Sequence, residues 1–518
     1  MKLVIVHFHL RPGGIRRVIE LAVPHLLKRL QRVDGVVLAC GEADDRKWNT
    51  HFTKLLHPLP VTFFVEPALG YLSEQKSPAG HIARRIRSAL EQIFRGQPGG
   101  EFLVWAHNLG IGRNLLLARE LACFCDEQGI RLVSHHHDWW FDNRWMRWPQ
   151  MQRAGFRTLD SVARAIFPAS ATVRHMAISQ TDSAPLKRHL RSAAGWLPNP
   201  ASENERPAPA RVREARSWLE HKLGGHPAPV WILPCRLLRR KNVAEALLLT
   251  RWLRPEAWCV TTGGVSSADE TAYYKKLNDA AHHHHWRLRL GVLSGDEQRK
   301  PSVSELLAVS ECVLLTSIQE GFGLPFLEAA AARRPLIARA LPNIAPDLKK
   351  FGFRFPQYYD EVLVAPELFD WRAERVRQAR MFRAWKAHLP RHCRAWAGKP
   401  VLLAQNRPRP VPFSRLTLTA QLEVLARPAT ESWICCAPLN PFLKKWRAQA
   451  AEGRLQISPW PRTADGWLGG RAYAAKFCEV ATANERKPGH TPVSLQNNFI
   501  REKLGAGQLF PLLWSCAS

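Results

Sequence analysis

The chain has no long apolar run, since a charge, a proline or a histidine interrupts every hydrophobic stretch within about ten residues. A transmembrane helix, which needs about 20 apolar residues, is therefore not predicted. Lys2–Phe8 is too short, and too closely followed by Arg11-Pro12-Gly13-Gly14, to be a signal peptide. The 11 cysteines form no Cys-x-x-Cys pair, and several lie in apolar runs. We therefore expect reduced thiols and a cytoplasmic location.

Acidic residues are scarce relative to basic ones: 44 Asp and Glu against 74 Lys and Arg give a net charge of +30. Such a charge attracts polyanions, including anionic lipid and phosphorylated substrates. The arginines are scattered, and no zinc-finger or RNA-binding motif accompanies them, so no specific nucleic-acid partner is predicted. Two explanations stay open: an arginine-rich proteome, or a peripheral position on an anionic membrane surface at the inner face of the membrane.

What the chain does contain is enough apolar sequence for two or three domains with their own cores, because 46% of its 518 residues are hydrophobic. Short apolar runs alternate with segments of helical pattern, which is typical of parallel sheets covered by helices. The predicted strands of the first half are Leu3–Phe8, Gly35–Ala39, Val61–Val65, Phe102–Ala106 and Arg131–Ser134. Its predicted helices are Ile15–Leu30 (interrupted by Pro24), Ile82–Phe94 and Asn114–Gln128.

The most informative stretch is Ser317–Glu328. It follows Cys312–Leu315, an apolar run that predicts a buried parallel strand, and it leads into a helix that begins near Pro325. Strand–loop–helix units of this kind bind ligands at the carboxyl ends of their strands. The sequence therefore predicts a ligand site in this loop.

Two carboxylates bracket the loop, Glu320 at the strand end and Glu328 about one turn into the helix. Gly321 and Gly323 allow close approach of a ligand to the backbone, and a helix N-terminus attracts anions. An ionised carboxylate can accept from two sugar or ribose hydroxyls at once. The alternative is an exposed loop glutamate and a solvated helix glutamate.

This pattern resembles the paired-glutamate motif of the family 4 glycosyltransferases, which are retaining enzymes. The resemblance implies an α/β chain with the GT-B fold, two Rossmann-like domains that face a cleft, here followed by a C-terminal extension. By that resemblance Glu320 contacts the transferred sugar and Glu328 holds the nucleotide ribose. The amides of Gly321, Phe322 and Gly323 would contact the sugar and the diphosphate.

The resemblance extends to other strand ends. Gly13-Gly14 matches a loop beside the donor phosphates, and Arg236 with Lys241-Asn242 matches the pair that binds the donor diphosphate. Gly263 follows the predicted strand Trp258–Thr262, and Val292 ends a stretch that meets the nucleobase. The alternative for residues 235–242 is a solvated basic loop.

Histidines end two strands of the first half. His107 follows one, and His135-His136-His137-Asp138 follows the other; His137 matches a family histidine that faces the donor sugar. His107 and Asp138 are candidates for the acceptor side. Neighbours on a strand alternate sides, so the three consecutive histidines cannot all face one ligand. A metal site is the rival interpretation, but spaced carboxylate or thiolate ligands are missing, and no metal is predicted. His282–His285 are predicted to be a surface loop.

The expected domains are residues 1–200 on the acceptor side, 211–370 on the nucleotide-sugar side, and a helical extension of unknown role at 371–518. By resemblance, Ala165–Ala169 is the last strand of the first domain and Ala201–Ala210 the linker. Either Trp371–Leu389 or Phe413–Leu425 is the expected helix that returns to the first domain, and a further helix is predicted at Leu495–Leu504. One departure from the family is Arg333-Arg334, where a glycine is usual, so the local turn is expected to differ.

These features predict a metal-independent hexosyltransferase without a cofactor. Its donor would be a UDP-, GDP- or ADP-sugar, and its acceptor a sugar, a lipid or a small molecule. Glu320, His137, Arg236 and Lys241 would carry the transfer. A disaccharide phosphorylase of the same fold, or a non-catalytic basic protein at a membrane surface, are the alternatives.

Overall fold

The structure is a computed structural model that describes residues 1–30, 32–95, 101–203, 206–225, 227–265, 267–295, 297, 299–483 and 492–514. The chain forms two compact units. Unit 1 comprises Met1–Ala201, His388–Ala397 and Thr463–Leu504; unit 2 comprises Ser202–Ala387, Gly398–Arg462 and Gly505–Ser518. Residues 371–518, predicted as one extension, are thus shared between both units, and their stretches 484–491 and 515–518 lie outside the described residues.

Unit 1 is built on a parallel sheet of seven described strands. These are β1 (Lys2–Val6), β2 (Gly35–Cys40), β3 (Val61–Val65), β4 (Phe102–His107), β5 (Arg131–His136), β6 (Val173–Ala177) and β7 (Ala194–Trp196). Their order across the sheet is β3-β2-β1-β4-β5-β6-β7. The chain reverses its direction of travel between β1 and β4, and such a switch point is where α/β sheets bind ligands.

The helices of unit 1 before the linker confirm the predicted alternation. They are α1 (Gly14–Arg29), α2 (Arg46–Leu56), α3 (Ala79–Ile93), α4 (Leu115–Glu127), α5 (Arg147–Arg153), α6 (Leu159–Ile166) and α7 (Gln180–Leu190). Pro24 lies inside α1 without ending it. Asn114 caps α4 by accepting from the Leu117 amide at 3.0 Å.

One predicted strand of unit 1 is wrong. Ala165–Ala169 does not form a strand, because Thr158 and Ser161 form a capping box that begins α6, and this helix runs to Ile166. The buried residues of α6 recur at helical spacing. The next strand is β6, in which all five residues are buried.

Unit 2 contains a second parallel sheet, of six described strands. These are β8 (Val230–Leu233), β9 (Trp258–Thr261), β10 (Leu288–Arg289), β11 (Cys312–Leu315), β12 (Leu336–Arg339) and β13 (Gln357–Tyr359), in the order β10-β9-β8-β11-β12-β13. Every residue of β8 and β11 is buried, as expected for central strands covered on both faces. The switch point of this sheet lies between β8 and β11.

Helices surround this sheet, and a short antiparallel pair, β14 (Leu363–Val364) and β15 (Val411–Pro412), extends unit 2. The helices are α8 (Pro209–Lys222), α9 (Val243–Leu253), α10 (Thr271–His283), α11 (Val303–Val309), α12 (Leu324–Ala331), α13 (Ala345–Phe351), α14 (Trp371–Ala387), α15 (Val401–Ala404), α16 (Leu418–Ala426), α17 (Ala429–Cys436) and α18 (Pro441–Ala451). Helix α8 begins inside the predicted linker, of which residues 204–205 lie outside the described residues. His282–His285 are exposed, as predicted, although the first two residues of this run end α10.

The expectation for the returning helix is wrong. Both candidate segments, now α14 and α16, belong to unit 2, whereas α19 (Arg462–Leu468), α20 (Gly470–Ala481) and α21 (Pro492–Lys503) follow later in the chain. Helix α20 packs on α1, and its Tyr473 and Phe477 join the core under β1 and β4. The ammonium of Lys503 in α21 lies 2.9 Å from Oδ1 of Asp142. Apolar and ionic contacts therefore hold both helices on unit 1.

In the part of the chain that the structure describes, no helix combines the length and the apolar character needed to cross a membrane.

Candidate active site

The turn after β8 brings several predicted donor-binding residues of unit 2 together. The amide of Gly263 donates to the carbonyl of Cys235 at 2.7 Å, and the amide of Val292 donates to Thr261 O at 3.0 Å. A Cβ atom on Gly263 would lie 3.0 Å from the Cys235 carbonyl oxygen and 3.3 Å from Arg236 Cα. Only glycine fits this approach without displacing backbone. Arg236, Gly263 and Val292 therefore lie at neighbouring strand ends.

Lys241 and Glu320 meet at the switch point of unit 2. Residues Arg239–Lys241 form a single 3-10 turn after β8, and Glu320 follows β11, the neighbouring strand. The Lys241 ammonium donates to Oε1 of Glu320, and Nη1 of Arg240 donates to Oε2 at 2.8 Å. The Ser317 hydroxyl also donates to Oε1, at 2.6 Å. The carboxylate is thus fixed on both oxygens by two cations and a hydroxyl.

The electrostatics of Glu320 follow from these partners. Burial by itself would raise its pKa, but the charges of Lys241 and Arg240, with hydrogen bonds from Lys241 and Ser317, lower the pKa to about 2. The Glu320 carboxyl is therefore ionised at neutral pH. Since an ionised carboxylate only accepts hydrogen bonds, any further ligand group here must be a donor, such as a sugar hydroxyl.

The glycine loop ends at the N-terminus of α12. Gly323 has a φ of 76°, in the left-handed region, and a Cβ there would lie 2.9 Å from the ring of Phe326. Pro325 lies in the first turn of the helix, where its missing N–H costs no hydrogen bond. No side chain caps the N-terminus of α12; Pro325 has no N–H, and the amide of Phe326 donates to the carbonyl of Gly323 at 3.0 Å.

Glu328 lies in α12 and has a different environment from Glu320. The pKa of its carboxyl is raised, mainly because the group is buried. The charge of Lys241 opposes this increase, and the charge of Glu320 adds to it. A ligand whose hydroxyl groups donate hydrogen bonds to Glu328 would lower this pKa and favour the ionised carboxylate. The two glutamates thus differ in the way each could bind a ligand.

The C-terminal segment of unit 2 supports the loop that carries Glu320. Phe510 and Leu512 form a small buried cluster with Ile318, two residues before Glu320. Arg415 holds this segment by donating to Leu509 O at 2.9 Å, and its guanidinium stacks on the Phe510 ring at 3.7 Å. This support was not predicted from the sequence, because the contact joins residues far apart in the chain.

Unit 1 places its predicted residues at the ends of β1, β4 and β5. Gly13 and Gly14 are exposed at the start of α1, where no side chain caps the helix. A Cβ on Gly14 would meet nothing within 4 Å. The first amide groups of α1 are therefore open to a ligand such as a phosphate, as the resemblance implies.

The predicted histidines of unit 1, His107 and His137, are buried and in hydrogen-bond contact with each other. His107, at the end of β4, is fully buried, and its Nδ1 lies 3.1 Å from Nε2 of His137, which is 7% exposed. The side-chain oxygen of Asn108 accepts from the amides of His137 at 2.9 Å and Asp138 at 3.1 Å. The Asp138 carboxylate pairs with Arg144 at 3.1 Å. Burial lowers the pKa of His107 and of His137 well below the ordinary value, so both imidazoles are neutral at physiological pH.

Three residues around Glu320 were missed by sequence reasoning. Arg240 and Ser317 contact its carboxylate, and the Asn343 amide donates to its backbone carbonyl at 2.8 Å. The basic run Arg239-Arg240-Lys241 was a signal for Arg240, whereas nothing local marks Asn343. The predicted residues form two sets, one in each unit.

Comparison with known proteins finds a family match in unit 2. Residues 226–361 match the family model of the glycosyl transferases group 1, and they contain the Lys241–Glu320 pair, the glycine loop and Glu328. This part of the chain is therefore similar to a group 1 glycosyl transferase domain. This match agrees with the region in which the sequence motifs are densest.

Two curated proteins from Petrotoga mobilis are similar to this chain. Mannosylglucosyl-3-phosphoglycerate synthase is 22% identical over 371 residues, covering 70% of this chain and 69% of that protein. Mannosylglucosylglycerate synthase is 21% identical over 253 residues, covering 44% of this chain and 57% of that protein. Both identities are low, so they indicate kinship rather than a shared substrate.

The fold is that of the GT-B glycosyltransferases. Sucrose-phosphate synthase from Thermosynechococcus elongatus is similar in structure, with a TM-score of 0.50 and 14% identity, covering 92% of this chain and 98% of that one. This likeness extends over both Rossmann-like units. It confirms the predicted fold class.

Proposed function

We propose that this glycosyltransferase is a retaining enzyme of the family 4 type that transfers a hexose from a nucleotide-diphosphate sugar to a hydroxyl group. The observation that carries the proposal is the ionised Glu320, buried at the end of β11 and held by Lys241 and Arg240. A charged carboxylate, cations and a glycine loop lie together at the place where α/β sheets bind ligands. This set provides partners for a sugar and for a diphosphate.

The proposed chemistry assigns a role to each group. As the bond between the sugar and the diphosphate breaks, negative charge grows on the leaving phosphate, and Arg236, Lys241 and the loop amides stabilise it. The acceptor hydroxyl attacks C1 from the face that the diphosphate leaves, and its proton passes to a phosphate oxygen. Glu320 positions the sugar, and Glu328 holds the ribose.

The acceptor is proposed to be a small molecule with a hydroxyl group; a sugar or a lipid would react by the same chemistry. The names of both Petrotoga relatives describe the synthesis of glycosylated glycerate compounds, one of them phosphorylated. A net charge of +30 favours such anionic acceptors. The same charge would also favour an anionic membrane surface.

A specific feature of α14 supports membrane association as a second property. Arg372, Val376, Arg380 and Arg383 are exposed and follow each other at helical spacing, and Val376 is 71% exposed. Basic side chains around an exposed apolar one suit an anionic lipid surface.

Binding to phosphatidylglycerol vesicles at low salt should be lost by about 0.5 M salt. Replacing the three arginines by glutamate should abolish it, while the same change at the exposed Arg84, Arg153 and Arg157 should weaken it less. Equal binding to neutral vesicles would contradict this.

Thermal shift with a panel of ligands tests the transferase itself. UDP-, GDP- and ADP-sugars, the free nucleotides, and inorganic phosphate are compared on the full chain and on Glu328→Gln. We expect one nucleotide sugar to raise the melting temperature of the full chain, and to do so less in the variant. Stabilisation by phosphate alone would favour the phosphorylase, and no response to any ligand would favour the non-catalytic alternative.

A further inference from the structure

Three histidines of unit 1 form a compact buried group. One ring nitrogen from each of His107, His135 and His137 lies within 4.8 Å of the corresponding atom of the other two. His107 and His135 are fully buried, and His137 is 7% exposed. Three imidazoles this close in a buried site form a candidate ligand set for a metal ion.

The sheet itself creates this group. Strands β4 and β5 are parallel neighbours in which His107 pairs with His135, so both side chains lie on one face. His137 follows two residues after His135 and returns to the same side. His136 lies on the opposite side, where its Nε2 is 3.0 Å from Nδ1 of His175. The sequence shows the run His135–His137, but it does not show that His107 completes a group with His135 and His137.

The hydrogen bonds leave nitrogen lone pairs available. Nε2 of His135 must be the donor to the carbonyl of Leu197, 3.1 Å away, so its Nδ1 carries no proton when the ring is neutral. This Nδ1 has no hydrogen-bond partner among the described residues. A backbone carbonyl that fixes one ring nitrogen, and thereby directs the other at a metal, is the usual arrangement of histidine ligands.

The spacing also fits. Nδ1 of His107 and Nε2 of His137 are 3.1 Å apart, close to the separation of about 3.3 Å between two nitrogens bound to one tetrahedral zinc. The competing explanation is a simple hydrogen bond between two neutral rings. That explanation leaves Nδ1 of His135 buried without a partner, which costs free energy. A shared metal ion would engage one nitrogen of each ring.

We propose that unit 1 binds one divalent transition-metal ion, preferentially Zn²⁺, through His107, His135 and His137. Imidazole ligands suit zinc and its neighbours rather than magnesium or calcium, which prefer oxygen. Three protein ligands leave a fourth position for water or for a substrate oxygen. Binding through Nε2 of His137 would place the proton of this ring on Nδ1 and fix the ring in one orientation. All three ligands belong to unit 1, and none of them stabilises the diphosphate in the proposed transfer, so the metal site goes beyond that function.

Metal content is the first test. The full chain, purified without a polyhistidine tag, is loaded with zinc chloride, dialysed and analysed by mass spectrometry of the metal. A variant with serine at all four positions of His282–His285 corrects for surface binding. We expect about one zinc per chain in both proteins. Zinc that disappears with the surface histidines, or that is not retained by either protein, would overturn the proposal.

Cobalt spectroscopy locates the ion. Co²⁺ added to the metal-free protein should give the intense visible absorption of a tetrahedral site, and one equivalent of zinc should abolish it. His135→Gln should lose this spectrum, whereas His136→Gln, equally buried on the opposite side of β5, should keep it. If either variant does not fold, as judged by circular dichroism, the wild-type spectrum decides. Only weak, octahedral-type absorption in the wild-type protein would refute the site.

Discussion

The ammonium of Lys241 lies on the carboxylate of Glu320, and the two side chains are only 9% and 8% exposed. Arg240 occupies the other carboxylate oxygen at 2.8 Å. The cation proposed to bind the donor diphosphate is therefore already held in position by the residue proposed to bind the sugar. The two functions are coupled, because neither charge can be removed without leaving the other buried and less compensated.

The first prediction concerns stability. Glu320→Gln should lower the free energy of unfolding by about 3 kcal/mol, because it leaves the charge of Lys241 buried without its carboxylate. Urea unfolding at neutral pH measures this loss. Glu297→Gln, which breaks the exposed pair with Lys222, is the matched control and should have little effect. Equal losses of unfolding free energy in the two variants would argue against a special contribution from the buried Lys241–Glu320 pair.

The pH dependence of the same variant gives a second measurement. The folded-state pKa of Glu320, about 2, lies below its ordinary value of 4.5. A lowered pKa of a carboxyl stabilises the fold above the ordinary value, and this contribution is lost as the pH falls. The difference in unfolding free energy between wild type and Glu320→Gln should therefore be constant near neutral pH and shrink as the pH falls from 4.5 towards 2. A difference that grows on acidification would contradict the assignment.

The second prediction separates the diphosphate clamp from the ribose holder. Lys241→Ala should lower kcat by about 100- to 1000-fold, because the diphosphate that Lys241 is proposed to bind gains negative charge in the transition state. Glu328→Gln should mainly raise the KM for the donor, because the ribose does not change during transfer. Steady-state kinetics with varied donor measure both parameters.

Lys222→Ala, which removes an exposed lysine paired with a glutamate in the same unit, is the control and should leave kcat and KM unchanged. Melting temperatures establish that each variant is folded. Near-normal kcat for Lys241→Ala at saturating donor would remove Lys241 from the clamp. An unchanged donor KM for Glu328→Gln would remove the ribose assignment.

The third prediction is stereochemical. An α-linked donor should give an α-linked product, as determined by NMR of the anomeric proton. Magnesium should not be needed, because Arg236, Lys241 and the loop amides supply the positive charge at the diphosphate. EDTA also competes for ions bound by imidazole, so restoration by magnesium is the discriminating measurement. A β-linked product, or activity that only magnesium restores, would be incompatible with the proposed mechanism.

The parts of the fold that the sequence predicted are those with local causes. The buried strands β8 and β11 are short apolar runs, and the turn before α12 is marked by Gly323 and Pro325. The failure at Ala165–Ala169 arose because a short apolar segment fits a helix as well as a strand. The capping box at Thr158 was the signal that would have decided it.

The candidate site was predictable only where its residues follow a strand. Glu320 and Lys241 could be placed at strand ends, but their contact depends on β8 and β11 being neighbours, which no local pattern encodes. The same holds for His107 with His137, and for Ile318 with Leu512. Sequence reasoning thus identified candidate groups, and the order of the strands determines which of them meet.

The fourth prediction tests the C-terminal support of the active-site loop. Leu512→Ala should lower the free energy of unfolding by about 2–5 kcal/mol and also raise the donor KM, because Leu512 packs on Ile318 beside Glu320. Leu443→Ala in the main core of unit 2 is the control. It should cost a comparable free energy without changing the KM. If both variants raise the KM equally, the effect comes from general destabilisation.

The fifth prediction concerns Arg333, where the family usually has glycine and where a different turn was expected. The amides of Arg333 and Arg334 donate to the carbonyls of Ala330 and Ala329 at 3.1 and 3.0 Å and close α12 with a Schellman motif. Arg333 adopts a φ of 51°, in the left-handed region, where a side chain costs about 1 kcal/mol.

Arg333→Gly should therefore raise the free energy of unfolding by about 1 kcal/mol. Arg333→Ala is the matched control, because it removes the same side chain and its exposed 3.8 Å pair with Glu203 but keeps a Cβ in the left-handed region. Urea unfolding of the three proteins measures the difference. Stabilisation by glycine but not by alanine would assign the effect to the backbone, whereas equal changes in both variants would assign it to the lost guanidinium.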